Sequence, residues 1–122
     1  MISDLKLLQV YSAMAKHASQ TQQVSATNIA HANDPGYKAR EVESFTDFMQ
    51  RAQSSAVGAQ TLSTPTFKLS DAGTAESPNG NSVNLEHEIF KSAEAYGQHD
   101  MALSVYTKSL ELLRTAIGRS NR

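Results

Sequence analysis

The chain has 122 residues, room for one domain, and its 11 basic and 12 acidic side chains leave a formal charge of −1. A balance so close to neutrality offers no field to gather nucleic acid or anionic lipid, and the absence of cysteine excludes a disulfide framework, a thiolate metal site and a cysteine nucleophile. Large apolar residues are scarce: 16 residues are Ala, while Leu, Ile, Val and Phe together number 24, near the floor for a self-sufficient core.

The first residues, Met1-Ile2-Ser3-Asp4-Leu5-Lys6, lack the basic segment, unbroken apolar run and small-residue cleavage site of a secretory signal peptide. No apolar run approaches the ~20 residues that cross a bilayer. The expectation is a chain that does not span a membrane and that leaves the cytoplasm, if it does, without a cleaved signal.

From residue 3 to residue 30, Leu7, Val10, Tyr11, Met14, Ala18, Val24 and Ile29 recur at three- and four-residue intervals with no internal Gly or Pro. That spacing predicts a long amphipathic helix. Its apolar stripe thins at Gln20, Thr21, Gln22 and Gln23, so the second half needs something packed on it. Asn33-Asp34-Pro35-Gly36-Tyr37 then puts Pro and Gly at the centre of a type II turn. Asn28 and Asn33 bracket the helix end as backbone caps. Behind Ser44 as cap, Phe45, Phe48, Met49 and Ala52 have helical spacing and predict a short helix.

More than half of residues 51–82 are Ser, Thr, Gly, Pro or Asn, and the large apolar residues there are Val57, Leu62, Phe67 and Leu69. This composition predicts a flexible arm, disordered in the free subunit, with an extended piece at residues 66–69 and a turn at Pro78-Asn79-Gly80-Asn81.

The C-terminal segment carries the most regular pattern. Alternating steps of four and three from Leu85 pick out Leu85, Ile89, Ser92, Tyr96, His99, Leu103, Tyr106, Leu110, Leu113 and Ile117. Eight of these ten are apolar, the seam of a coiled coil with Ser92 and His99 as polar interruptions. Asn84 suits an N-cap, Glu86 and Glu88 the positive first turn, and Gly118 the C′ position. The two terminal helices have comparable lengths, roughly 42 and 50 Å at the usual rise. Each stripe needs a partner, and the expectation is an all-α fold in which the termini pair as an antiparallel coiled coil. The chain divides accordingly into 1–32 (N-terminal helix), 33–84 (turn, short helix and arm) and 85–122 (C-terminal helix). The packing residues expected are Leu85, Ile89, Tyr96, Leu103, Tyr106, Leu110, Leu113 and Ile117, with Leu7, Tyr11, Met14 and Val24 opposite them. Asn33, Pro35, Gly36 and Tyr37 set the exit angle of the arm.

Chemistry-bearing constellations are missing from the pattern. His17, His31, His87 and His99 contain no pair at i, i+3 or i+4, and His87-Glu88 has no second His where a zincin helix needs one. Gly36, Gly58, Gly73 and Gly80 stand alone and form no phosphate loop. Lys38 and Arg40 sit beside Glu41 and Glu43, a mixed surface and not a nucleic-acid patch. No catalytic residue, metal ligand, cofactor or small-molecule substrate is expected.

One string goes beyond local termination signals. Asn28-Ile29-Ala30-His31-Ala32-Asn33-Asp34-Pro35-Gly36-Tyr37-Lys38-Ala39-Arg40 resembles the signature shared by flagellar rod and hook proteins, which join an N-terminal helix to an extended arm. Asn79-Gly80-Asn81-Ser82-Val83-Asn84-Leu85-Glu86-His87-Glu88 and the ending Leu113-Arg114-Thr115-Ala116-Ile117-Gly118-Arg119 are similar to the short proximal rod members. His31 and Ser82 depart mildly from the usual pattern, and residues 54–76 match nothing in it. The resemblance implies a structural, non-enzymatic subunit of the bacterial flagellar basal-body rod, exported unfolded through the flagellar type III apparatus. It further implies assembly in the periplasm through the terminal helices, and torque transmission between membrane ring and distal rod. Its partners would be other flagellar rod proteins, the junction with the membrane ring, and export gate proteins. The alternative reading is a soluble coiled-coil adaptor or export chaperone that uses the same seam.

Overall fold

The computed structural model describes residues 2–54 and 62–120; Val57 and Gly58 lie outside the described residues. In chain order the elements are α1 (Ile2–Ala30), β1 (Arg40–Val42), α2 (Phe45–Ser54), β2 (Leu69–Asp71) and α3 (Leu85–Ser120). The expected architecture is present: α1 and α3 pack along one another as an antiparallel pair, and α2 and the strands sit to one side.

Local signals place the ends of these elements. Thr27 and Asn28 carbonyls both receive the His31 N–H as α1 closes, and the Tyr37 N–H returns to the Asp34 carbonyl at 3.3 Å across Pro35 and Gly36. Gly36 takes φ +76° there, the positive value that the second central residue of a type II turn requires. Ser44 caps α2, its Oγ accepting the Asp47 N–H at 3.1 Å, and Asn84 caps α3 by accepting from the His87 N–H at 3.1 Å. The far end differs from expectation. Gly118 does not stop α3, which continues to Ser120, and its φ stays outside the positive region that a C′ glycine adopts.

Large apolar side chains gather on the arm side of α1, away from the helix pair. Ala13, Val42, Phe48, Leu62 and Phe67 are buried together, and Val10, Val24, Phe45 and Met49 pack on them. Phe48 is fully buried, its ring 4.7 Å from Phe67 and 5.8 Å from Phe45 between centroids. The described part of the arm, residues 62–82, is helical at Leu62 and Ser63, turns at 78–80 and is otherwise largely extended, but it is held down. Leu62 and Phe67, half of the arm's large apolar residues, anchor it in the core, and β2 pairs antiparallel with β1 in the register Arg40↔Asp71, Glu41↔Ser70, Val42↔Leu69.

Glu43 fastens this unit together. Its carbonyl accepts from His17 Nε2 of α1 at 2.6 Å, while its carboxylate receives the Arg51 guanidinium of α2 and the Lys68 N–H of the arm. Burial works against the Glu43 charge, but the Lys68 N–H and the Arg51 guanidinium together outweigh it and hold its pKa below the ordinary 4.5.

Candidate assembly site

Along α3 the buried and half-buried positions Glu88, Ser92, Ala95, His99, Ala102, Tyr106, Ser109 and Leu113 recur at steps of four and three. They mark the face laid on α1, where Ala15, Ala18 and Ser25 are likewise buried. Ser12, Ala15, Lys16 and Ser19 of α1 share one surface hollow with His99, Leu103 and Tyr106 of α3. Small residues at the contact let the two backbones come close, but they withdraw little apolar area from water.

This seam is offset by one residue from half of the expected stripe. Ser92, His99, Tyr106 and Leu113 belong to both, whereas the intervening places are taken by Ala95 and Ala102 in place of Tyr96 and Leu103. As a result Leu85, Ile89, Tyr96, Leu103 and Ile117 are exposed, Tyr96 at 67% and Leu103 at 44%, and Leu110 is half-buried. The large residues form a second stripe along one flank of α3. On α1, Leu7 is exposed, Tyr11 and Met14 are half-buried, and Val24 packs on the arm cluster. A pattern search that favours bulky residues passes over alanine. The spacing of Ala95 and Ala102 by seven was the signal for the intramolecular seam.

The turn residues meet in a hydrogen-bonded clasp at the closed end of the helix pair. Asn28 is 1% exposed. Its Nδ2 donates to the Arg40 carbonyl at 2.8 Å, and its Oδ1 accepts the Arg40 N–H at 3.1 Å and the Tyr37 hydroxyl at 3.2 Å. The carboxamide thus pairs with the side of β1 turned away from β2, as a neighbouring peptide would. His31 stacks on Tyr37 with centroids 4.6 Å apart and planes 9° from parallel.

Asn81 does the same work from the other side. Its Nδ2 donates to the His31 carbonyl at 2.9 Å and the Asp34 carbonyl at 2.8 Å, and its Oδ1 accepts the Val83 N–H. Ser82 Oγ accepts the Ala39 N–H, the Ser82 N–H reaches the Tyr37 carbonyl, and the Gly36 N–H reaches the Asn79 carbonyl. The two sequence blocks around Pro35 and Gly80 are therefore halves of one structure. Asn33, Pro35 and Gly36 are exposed, and no side-chain bond of Asn33 is found among the described residues. The capping role expected of Asn33 falls instead to Asn81.

Among the described residues no group of three or more His, Asp or Glu could hold a metal ion, and no described helix is long and apolar enough to cross a membrane.

No family model matches the chain. Curated relatives do. The flagellar basal body rod protein FlgB of Agrobacterium fabrum (strain C58 / ATCC 33970) is 33% identical, with 83% of this chain and 84% of the relative covered. The proteins of the same name from Escherichia coli (strain K12) and Shigella flexneri are each 28% identical, covering 84% of this chain and 86% of the relatives.

Proposed function

The chain belongs to the FlgB family of flagellar basal body rod proteins, and from that premise we propose that the outer stripe of α3 is the surface through which its subunits polymerise. One observation carries this reading: Leu85, Ile89, Tyr96, Leu103 and Ile117 lie exposed along one helix flank, although fully burying a residue of that kind is worth roughly 1.5–3 kcal/mol. A run of such residues on a subunit with a thin core marks an interaction surface. Leu110 continues the stripe at the same spacing and Tyr106 and Leu113 border it, and Leu7, Tyr11 and Met14 of α1, which are exposed or half-buried, are added to it in this reading. The clasp of Asn28, Tyr37 and Asn81 fixes the arm against the helix pair, so that the stripe is presented in one geometry.

Within the rod, contacts of this kind between terminal helices transmit torque from the membrane ring to the distal rod. Export of an unfolded chain through the flagellar apparatus, assembly in the periplasm, and contact with other rod proteins, the ring junction and the export gate complete the reading. A subunit that leaves its apolar flank for neighbours to cover suits that route.

The test is complementation of a deletion strain with Leu103→Asp. Because the side chain is exposed in the subunit, the purified variant keeps the melting temperature of the parent. It is absent from isolated basal bodies and does not restore swimming, since assembly would strand a carboxylate in a dry contact. Normal swimming would overturn the reading.

A further inference from the structure

Between α1, β1 and α3 lies a cleft of about 280 Å³ lined by one buried acceptor with nothing to accept, His17 Nδ1, and by the carboxylate of the largely buried Glu88. His17 is 9% exposed. Because a carbonyl can only accept, its Nε2 carries the hydrogen that goes to Glu43, and in the neutral ring Nδ1 is left as a bare acceptor; Nδ1 is buried and has no partner. Glu88 is 4% exposed, and its carboxylate meets no donor among the described residues. The nearby ammonium of Lys91 is taken by Glu41 at 3.1 Å, and the guanidinium of Arg40 at the rim makes no ion pair there. Phe45 closes one wall, with its ring 5.7 Å from that of His17.

Two acceptors of this kind in a walled cleft call for a cationic group with several donors, and the planar fork of a guanidinium is the side chain that fits both. We propose that this cleft receives Arg114 of a second copy of the chain. The proposal rests on the rod-subunit reading and adds the contact through which one copy engages the next. Of the described arginines, Arg40 lines the cleft itself and Arg51 is held by Glu43 and the Thr66 carbonyl. Arg114 and Arg119 are exposed and carry no ion pair among the described residues.

Arg114 follows Leu110 by four positions and precedes Ile117 by three, so it stands on the exposed stripe of α3; Arg119 does not share that spacing. It cannot reach the cleft of its own chain, because 26 residues of continuous helix hold it roughly 39 Å from Glu88. The contact is therefore intermolecular and joins unlike ends of the two copies. Such a head-to-tail contact repeats without closing on itself when the rotation between copies allows, which is the geometry of a filament.

The chain has no cysteine, so a pair of introduced thiols reports the contact directly. Gln98→Cys lines the cleft, and Gly118→Cys stands one turn beyond Arg114, where an added Cβ meets nothing within 4 Å. Some 30 Å of helix separates the two sites, far beyond the Cα spacing of about 7 Å that a disulfide tolerates, so a bond forms only between copies. Oxidised basal bodies containing the double variant are expected to yield a ladder of covalent multimers on a denaturing gel. Each single variant yields none, and adding Arg114→Gln or Glu88→Gln to the pair removes the ladder. Melting curves of both Gln variants matching the parent's confirm that the chain still folds. A missing ladder, or one indifferent to Arg114→Gln, overturns the proposal; if Arg40 fills the cleft of its own chain, no ladder forms. With either result, normal incorporation into basal bodies leaves the rod reading standing, whereas a chain never found in basal bodies sinks both.

Discussion

Replacing Asn28 by Ala is the most direct test of the clasp, because the structure counts what is lost. The carboxamide serves three groups: the Arg40 N–H, the Arg40 carbonyl and the Tyr37 hydroxyl. After truncation the two backbone groups of Arg40 face a void, since the alternation of an antiparallel ladder directs them away from β2. Each buried polar group left unsatisfied costs about 1–3 kcal/mol. Two of them, partly relieved by water entering from the exposed side of Arg40, give about 2–4 kcal/mol, a large share of the ~5–15 kcal/mol that stabilises a typical domain. For a domain of this size the melting temperature falls by roughly 6–15 °C. Tyr37→Phe removes only the 3.2 Å bond and costs about 0.5–1.5 kcal/mol. Asn33→Ala, at an exposed position, serves as the control. The assay is urea and thermal unfolding of the purified chain followed by circular dichroism. If Asn28→Ala melts within 2 °C of the parent, or if Asn33→Ala costs as much, the carboxamide is not what holds β1 to α1.

Phe48→Ala empties the centre of the arm cluster, where the side chain is fully buried, and should cost about 3–5 kcal/mol in urea unfolding; a smaller loss than for a helix-seam residue such as Leu113→Ala would relocate the core. The Glu43 carboxylate has a folded pKa below 4.5, so its contribution is complete above the unfolded value and drains away as pH falls from about 4.5 through the folded value. Glu43→Gln should lower stability at pH 7 and flatten the acid limb of a stability profile; an unchanged acid limb would assign it to other carboxylates. Gly80 adopts φ +85°, and a Cβ there would lie 3.3 Å from the Gly36 Cα. Gly80→Ala should therefore cost at least the ~1–2 kcal/mol of a left-handed L residue, whereas Gly118→Ala, in open space within α3, should gain about 0.5–1 kcal/mol. Equal effects at the two glycines, read from paired thermal melts, would refute the steric argument.

The long helices were legible because periodicity and caps agree: Asn84 and Ser44 cap α3 and α2 where their spacing predicts, and Pro35 and Gly36 turn the chain as their φ preferences require. What faces what was not legible. A stripe of Leu, Ile and Tyr announces that something will cover it, but nothing in a single sequence says whether the cover is the same chain or another. The structure gives the intramolecular contact to alanines and leaves the bulky flank outside. Composition, which averages over positions, predicts a flexible arm, whereas its path is decided by two anchors, Leu62 and Phe67. Asn81 was visible only as a turn former; its bonds to His31 and Asp34 depend on a fold that brings distant segments together.

The clasp also bears on how the two long helices find their alignment. Ala95 and Ala102 occupy equivalent places one heptad apart, so sliding α3 along α1 by seven residues would set one alanine where the other had been and lose little contact. A seam built from such uniform small side chains discriminates poorly between alignments. Asn81, by tying residues fifty positions apart in the chain, supplies the stop against which the sliding ends, and so the axial position of every exposed side chain on α3 is indexed from the closed end of the hairpin.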